Sequence, residues 1–324
     1  MRGGWLVLVV LACAATVAAS AAAKQTSPTS SKPPPPASTV SGITVEGPAT
    51  QSPLIDRTTE FVRQRLPTSR FAQYARFHDP ICVKVVGLPD QYAGFIVKRV
   101  LDVAREVNAP IDPKPGCTPN VNVIFSAAPQ AQLEDIARRR DILFGFHFQA
   151  EMKKLSTFSR PVQAWYVTRT EDTTGNKMLE LNEATPCISS NPLRPPCDVS
   201  APAIIGKAGS RLGNDLSSEL VHSLIIADAN KVAGEKIDAI ADYIAVLALS
   251  RWQGMERCSG LPTILNLMAD GCSAEDRPEA ATPGDLALLT SLYQVNPREV
   301  GTLQRAEIAD AMRKAAGAAS DSRH

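Results

Sequence analysis

Apolar and polar residues alternate with two different periods along this chain, and each period predicts one type of element. Helical spacing of apolar residues predicts helices over residues 52–66, 90–109 and 130–143. Alternating or continuous apolar segments rich in β-branched and aromatic residues predict strands over residues 81–87, 120–127 and 162–172. Residues 220–230 fit a helix or a strand, and their Leu-Ile-Ile segment favours the strand. The order of these segments predicts an α+β fold in which a small mixed sheet packs with helices.

The C-terminal part of the chain predicts two further helices separated by a turn. The segment "IADYIAVLALSRW", residues 240–252, carries apolar residues that predict one core-facing stripe. The stripe consists of Ile240, Ile244, Leu247 and Leu249. The turn "LPTILNLM" follows, and "TPGDLALLTSLY" then has a typical helix start: Thr282 as cap, Pro283 in the first turn and Asp285 near the positive helix end.

This succession of strand, helix, turn and last helix over residues 220–293 resembles the metzincin-type zinc peptidases. In that family an edge strand precedes a helix bearing His-Glu-x-x-His-x-x-Gly-x-x-His. A tight turn with Met comes next, and the last helix ends in Leu-Tyr. The "IADY" helix is also similar to one shared by uncharacterised exported proteins of Gram-negative bacteria. The resemblance implies a zincin-like, metzincin-like domain.

The zinc ligands of the metzincin pattern have no counterpart here. When Asp242 takes the place of the general-base Glu, the three His positions fall on Ala241, Ala245 and Arg251. Zinc needs three or four nitrogen, sulfur or oxygen donors about 2 Å away, which methyl groups and a guanidinium cannot supply. Without a metal-bound water, Asp242 has nothing to activate. We therefore expect no metal, no other cofactor and, in preference to an enzyme, a pseudoenzyme.

The N-terminal residues predict export. Residues 1–23 combine Arg2, an apolar segment and a small-residue tail, which is the layout of a secretory signal peptide. The alternatives are an uncleaved membrane anchor and a lipoprotein signal in which Cys13 is lipidated. Residues 24–42, rich in Pro and Ser, predict a disordered linker. A single domain at residues 43–316 and a disordered tail at 317–324 complete the predicted organisation, in a periplasmic or secreted protein.

The cysteines of the mature chain predict disulfides. An even number of cysteines in an exported protein favours disulfide bonds, and none of them forms the close pair that a metal site requires. Proximity along the chain predicts the pairs Cys82–Cys117, Cys187–Cys197 and Cys258–Cys272. Each bridge would stabilise the domain by roughly 3 kcal/mol through its effect on the unfolded chain.

The net charge gives no reason to expect nucleic acid or an acidic membrane as a partner. Removal of Arg2 with the signal peptide leaves 33 basic and 33 acidic residues, so nothing in the net charge favours nucleic acid or an acidic membrane. Membrane contact is expected only if Cys13 carries a lipid. The partner itself is unknown, and an envelope protein or a peptide is one candidate.

Two functional hypotheses follow. The first is an exported, non-catalytic protein that keeps a metzincin-like scaffold for binding or for an envelope structural role. The alternative is a secreted hydrolase or peptidase with a non-standard site around Asp242 and His222, the latter paired with Glu219 in an E-x-x-H segment. The surroundings of the helix over residues 241–251 distinguish the two hypotheses. Apolar packing around it favours the non-catalytic protein, and a cleft in which Asp242 and His222 lie close together favours the hydrolase.

Overall fold

A five-stranded mixed β-sheet with helices on both faces organises the chain in the computed structural model. The structure describes residues 53–69, 72–112, 114, 116–139, 141–145, 154–180 and 215–321. The strands are β1 (Val83–Val86), β2 (Val121–Ser126), β3 (Val162–Glu171), β4 (Lys177–Glu180) and β5 (Ser217–Asp228). The α-helices in these residues are α1 (Pro53–Arg65), α2 (Asp90–Glu106), α3 (Pro129–Arg139), α4 (Ile237–Leu249), α5 (Pro283–Gln294) and α6 (Gly301–Asp321). Short 3-10 helices occupy Asp141–Phe144, Ile264–Met268 and Ala274–Asp276.

Strand β5 lies at the centre of the sheet, whose order is β1-β2-β5-β3-β4. It pairs in parallel with β2 and antiparallel with β3, while β1 pairs in parallel with β2 and β4 antiparallel with β3. Both faces of a central strand are covered, which explains the continuous apolar segment from Leu224 to Ala227. The metzincin pattern has an edge strand before its helix, so the central position of β5 is a difference from that pattern.

Most predicted elements form, with four differences. The helix expected over residues 130–143 is replaced by α3 and, from Asp141, a 3-10 helix. The helical spacing over residues 90–109 predicts one apolar face formed by Tyr92, Ile96, Val100, Val103 and Val107. The last four are buried, but Tyr92 is exposed. Strand β4 was not predicted, because its "KMLE" segment is too short to show a period. Helix α6 was not predicted either, and it runs through Asp321, into the range expected to be a tail.

The core has a larger and a smaller part. The larger part contains apolar residues of α2, α4, α5 and α6 packed with β2 and β5. The smaller part consists of Leu133, Phe144, Trp165, Leu224 and Ile226, and it connects α3 and the first 3-10 helix to the sheet. Within the described residues, no helix combines the length and apolar character that crossing a membrane requires.

Two of the predicted disulfides are present. Cys82 is bonded to Cys117, and Cys258 to Cys272. The third predicted pair, Cys187–Cys197, lies outside the described residues, as do the predicted signal peptide with Cys13 and the predicted linker. The two bridges close the segment that contains α2 and the segment that contains the "LPTILNLM" turn.

Candidate functional site

Helix α4 contains the residues that the metzincin resemblance would align with zinc ligands, and it is buried on all sides. Every side chain from Ala239 to Leu249 is buried, so the single stripe predicted from the sequence understates how much of the helix is covered. Ala241 and Ala245, which the resemblance would place at the first two ligand positions, are completely inaccessible to solvent. These positions are therefore part of the apolar packing between α4, α2 and the sheet.

Asp242, which the resemblance would place at the general-base position, joins neighbouring elements of the fold. Its Oδ1 forms an ion pair with the Nε of Arg99 on α2. Its Oδ2 accepts a 2.8 Å hydrogen bond from the backbone N–H of Ala281, just before α5. Because both oxygens have donors and the side chain is only 4% exposed, the carboxylate joins α2, α4 and the start of α5.

Side chains satisfy the C-terminal end of α4. The last carbonyls of a helix have no partner inside the helix, and a buried helix end must find donors elsewhere. Four side chains supply them at 2.8–3.0 Å: Trp252 Nε1 to Val246, Tyr166 Oη to Leu247, Ser223 Oγ to Ala248 and Tyr293 Oη to Leu249. These donors come from β3, β5, α5 and the segment after α4, so the helix end is fixed from several directions.

The predicted start of α5 is confirmed. Thr282 and Asp285 form a reciprocal capping box with Pro283 in the first turn. Asp285 also accepts a 2.5 Å hydrogen bond from Thr263 Oγ1 and a 2.8 Å hydrogen bond from the N–H of Ile264. One carboxylate thus caps α5 and holds the turn that precedes it.

A cluster of charged side chains surrounds Glu219 on β5. We call it the Glu219 cluster; its members are His78, Asp79, Arg169, Glu171, Lys177 and Glu219. His78 Nδ1 lies 2.9 Å from Glu219 Oε1, and Arg169 Nε binds Glu219 Oε2. Arg169 also reaches Asp79 at 2.8 Å. Lys177 Nζ lies 3.4 Å from Glu171 and 3.6 Å from Glu219.

The two glutamates of the cluster have opposite pKa shifts. Burial raises the pKa of Glu219, but hydrogen bonds with His78, Glu171 and Arg169 outweigh burial and hold it well below the ordinary value. The pKa of Glu171 is raised by its hydrogen bond to Glu219, by burial and by the charge of Glu219, and Lys177 opposes this shift. Glu171 is therefore the first of the two to take up a proton as the pH falls.

A β-bulge places Glu219 and His222 on the same face of the sheet. Residues three apart in a regular strand point to opposite faces. Here Val167 pairs with His222 and Arg169 pairs with Glu219, so β5 has one extra residue between them. His222 Nε2 lies 2.7 Å from the side-chain nitrogen of Asn122, on β2.

That face is the one opposite α4. Ser223, the neighbour of His222, donates to the carbonyl of Ala248 on α4, so the alternation of side chains places His222 on the other side of the sheet. Asp242 lies on α4 itself. The structure therefore brings Glu219 and His222 to one face and does not bring Asp242 to them.

One group of side chains has the composition of a metal site. His78, Glu171 and Glu219 each place one ligand atom within 4.8 Å of the others. Arg169 and Lys177 already provide two positive charges there, and a divalent cation would have to displace Arg169 from Glu219. The arrangement fits an ion-pair network better than a metal centre.

Sequence reasoning identified Glu219 but missed His78 and Glu171. The three residues are widely separated along the chain, and only the β3–β5 register and the loop before β1 bring them together. The alternation of charged residues in "TRTE" on β3 was the available signal, since it places Arg169 and Glu171 on one face.

Comparison with models of known families, with curated proteins and with solved structures found no match for this chain.

Proposed function

We propose that this is an exported, non-catalytic protein with a metzincin-like scaffold that lacks the zinc site, serving a binding or envelope structural role. The scaffold relationship rests on the order of strand, helix, turn and last helix over residues 220–293. The absence of catalysis rests on the environment of α4. The partner is not specified by the sequence; an envelope protein or a peptide is one candidate.

The single observation that carries the proposal is the burial of the ligand positions in α4. Ala241 and Ala245 are fully covered by apolar packing, and both oxygens of Asp242 are bound to Arg99 and to the backbone of Ala281. A zinc ion at this place would need donors that these side chains do not have, together with space now filled by the core.

The alternative hydrolase around Asp242 and His222 has less support. A general base and its partner must lie within hydrogen-bonding reach of the same substrate atom or water. Asp242 is on α4 and His222 is on the opposite face of the sheet. No single substrate position is within reach of both.

Export is proposed on the signal-like residues 1–23 and is supported by the two disulfides, which persist in oxidising compartments. Periplasmic or secreted protein is the expected location, with a lipid anchor at Cys13 as the alternative. Mass spectrometry of the exported protein tests it. An intact residue 1–23 segment would contradict cleavage, and a lipid-modified Cys13 would favour the anchor.

Elemental analysis after mild purification tests the lack of zinc. We expect less than stoichiometric zinc and no chelator-sensitive cleavage of peptides. One zinc per chain, with proteolysis abolished by Asp242→Asn, would overturn the proposal. A His78→Gln variant is the matched control, because loss of bound zinc in that variant would assign the metal to the Glu219 cluster rather than to α4.

A further inference from the structure

A cavity of about 420 Å³ lies beside the C-terminal end of α4. Its volume is in the range of small-molecule sites. The lining combines polar side chains with an apolar part, to which four largely buried side chains contribute: Trp165, Tyr166, Trp252 and Met255. The indole N–H groups of Trp165 and Trp252 and the hydroxyl of Tyr166 already donate to backbone carbonyls. The ring atoms that face the cavity are therefore apolar.

The charged side chains around this cavity are predominantly basic. Lys154, Arg160 and Arg251 line it, and Glu256 is the one acidic residue among the lining residues that the structure describes. Glu256 is bound to Arg160 at 3.0 Å. The lining therefore has an excess of two positive charges.

A further cation increases the positive potential. Arg65 is 8% exposed and donates to the backbone carbonyl of Arg257 at 2.8 Å. Burial lowers its pKa, Glu256 raises it, and the neighbouring charge of Arg160 lowers it. Glu256 is thus shared electrostatically by two arginines, and an additional anion would relieve their repulsion.

Arg251 is the residue at the third zinc-ligand position of the metzincin pattern. It follows the end of α4, where its Nη1 lies 3.4 Å from the backbone carbonyl of Thr68. A guanidinium here supplies a fixed positive charge at the cavity without a metal. Its planar donors match the geometry of a carboxylate or a phosphate.

We propose that the cavity binds a small organic anion: a carboxylate or phosphate monoester on an apolar body. Arg160 and Arg251 hold the anionic group, and the apolar body lies against Trp252 and Met255. The apolar part of the lining favours such a ligand over inorganic phosphate, because phosphate has no apolar surface to bury there. This site adds a class of small-molecule ligand to the binding role proposed above. It rests on the proposed function in one respect: the ligand is bound and is not converted.

Tryptophan fluorescence tests the site directly. The chain has three tryptophans; Trp165 and Trp252 line the cavity, and Trp5 lies in the predicted signal peptide. Titration with hexanoate and with hexyl phosphate distinguishes the two headgroups, and 1-hexanol and inorganic phosphate are the probes that lack one half of the ligand. We expect a saturable change with at least one of the two anions, weaker at high salt, and none with the two partial probes.

Variants locate the binding. Arg160→Gln and Arg251→Gln should each weaken the affinity about tenfold or more, because each removes charge-assisted hydrogen bonds. Arg138→Gln is the matched control, since Arg138 is an exposed arginine on α3 that is ion-paired to Asp135. Arg160→Gln should keep the fold, because its partner Glu256 is about half exposed. Thermal melting verifies folding for each variant.

The proposal would be overturned by no saturable change with either anion up to about 10 mM, by equal binding of 1-hexanol, or by unchanged affinity in both cavity variants. Binding of inorganic phosphate alone would also contradict it. None of these results depends on the zinc content of the protein. Failure of this site can therefore be distinguished from failure of the non-catalytic assignment.

Discussion

Two buried carboxylates, Asp242 and Glu219, lie on opposite sides of the sheet and have different surroundings. Asp242 has two oxygens and two donors, Arg99 and the N–H of Ala281. Glu219 has Arg169 and His78 on its oxygens, with Lys177 nearby and the second carboxylate of Glu171 hydrogen-bonded to it.

The two carboxylates therefore affect stability in different ways: Asp242 through packing, and Glu219 through its protonation. Around Asp242 the other groups are mostly apolar, and each polar atom at the end of α4 has one defined partner. The Glu219 cluster holds more charges, several of which are partly exposed to solvent. We therefore expect substitutions near α4 to reduce stability directly, and substitutions in the Glu219 cluster to change how stability depends on pH.

The largest expected effect is at Tyr243 of α4. Its side chain is 2% exposed, so Tyr243→Ala should lower the free energy of unfolding by about 3–5 kcal/mol through the cavity that it leaves. Urea denaturation measures the change. Tyr92→Ala on α2 is the control: Tyr92 is exposed, and its loss should cost less than about 1 kcal/mol. Equal effects at the two positions would contradict the buried environment of α4.

The next effect concerns Asp242 itself. Asp242→Asn removes the charge that pairs with Arg99, which is about one-third exposed, so we expect a loss of about 2–3 kcal/mol in unfolding free energy. Asp102→Asn is the matched control, because Asp102 pairs with Lys98 and Arg105 at the surface of α2. A change below about 0.5 kcal/mol is expected there. If both variants are equally stable, the ion pair of Asp242 has no structural role.

The Glu219 cluster should give a pH-dependent effect. Because the pKa of Glu219 is lowered in the folded protein, its ionised form stabilises the fold above the ordinary value of 4.5, and this contribution decreases as the pH falls below that value. Glu171 acts in the opposite direction, since its raised pKa favours uptake of a proton in the folded state. Glu219→Gln should therefore reduce the loss of stability between pH 5 and pH 2 by about 1–3 kcal/mol.

Thermal unfolding across that pH range measures this difference between wild type and variant. Glu275→Gln, an exposed substitution in a 3-10 helix, is the control for changing one carboxylate. Parallel pH profiles of wild type and Glu219→Gln would rule out the cluster as the origin of acid sensitivity.

The smallest effect is at the hydroxyl of Tyr293, which donates to the carbonyl of Leu249 at 2.8 Å. Tyr293→Phe keeps the ring and leaves that carbonyl without its side-chain donor, so we expect a loss of about 1 kcal/mol in unfolding free energy. Tyr92→Phe, which removes an exposed hydroxyl, is the control and should be neutral. A neutral result for Tyr293→Phe would mean that solvent replaces the lost donor.

The sequence predicted elements whose signals are local. The cap of α5 is contained within four consecutive residues, Thr282 to Asp285, and it was predicted correctly. The apolar spacing of α2 was sufficient to identify its buried face apart from Tyr92. In both cases the interacting groups are close along the chain, so periodicity and capping rules apply directly.

The candidate sites depend on interactions that have no local signal. The partners of Asp242 on α2 and before α5 are far from it in sequence. The approach of His78 and Glu171 to Glu219 depends on strand register and on one extra residue in β5, and a shift of one residue would reverse every side chain. Register is set by the assembled sheet, so the Glu219 cluster became visible only with the complete fold.

The central position of β5 has a consequence for the order in which this chain can fold. Strands β1 and β2 can pair early, and so can β3 and β4, but the two pairs join only through β5, the last of the five along the sequence. Until β5 is available, β2 and β3 each have an unpaired edge. Contacts between distant segments form slowly, so the final assembly should be the slow step. If the chain is exported from its N-terminus as proposed above, such a delay would keep it unfolded until its last strand has crossed the membrane.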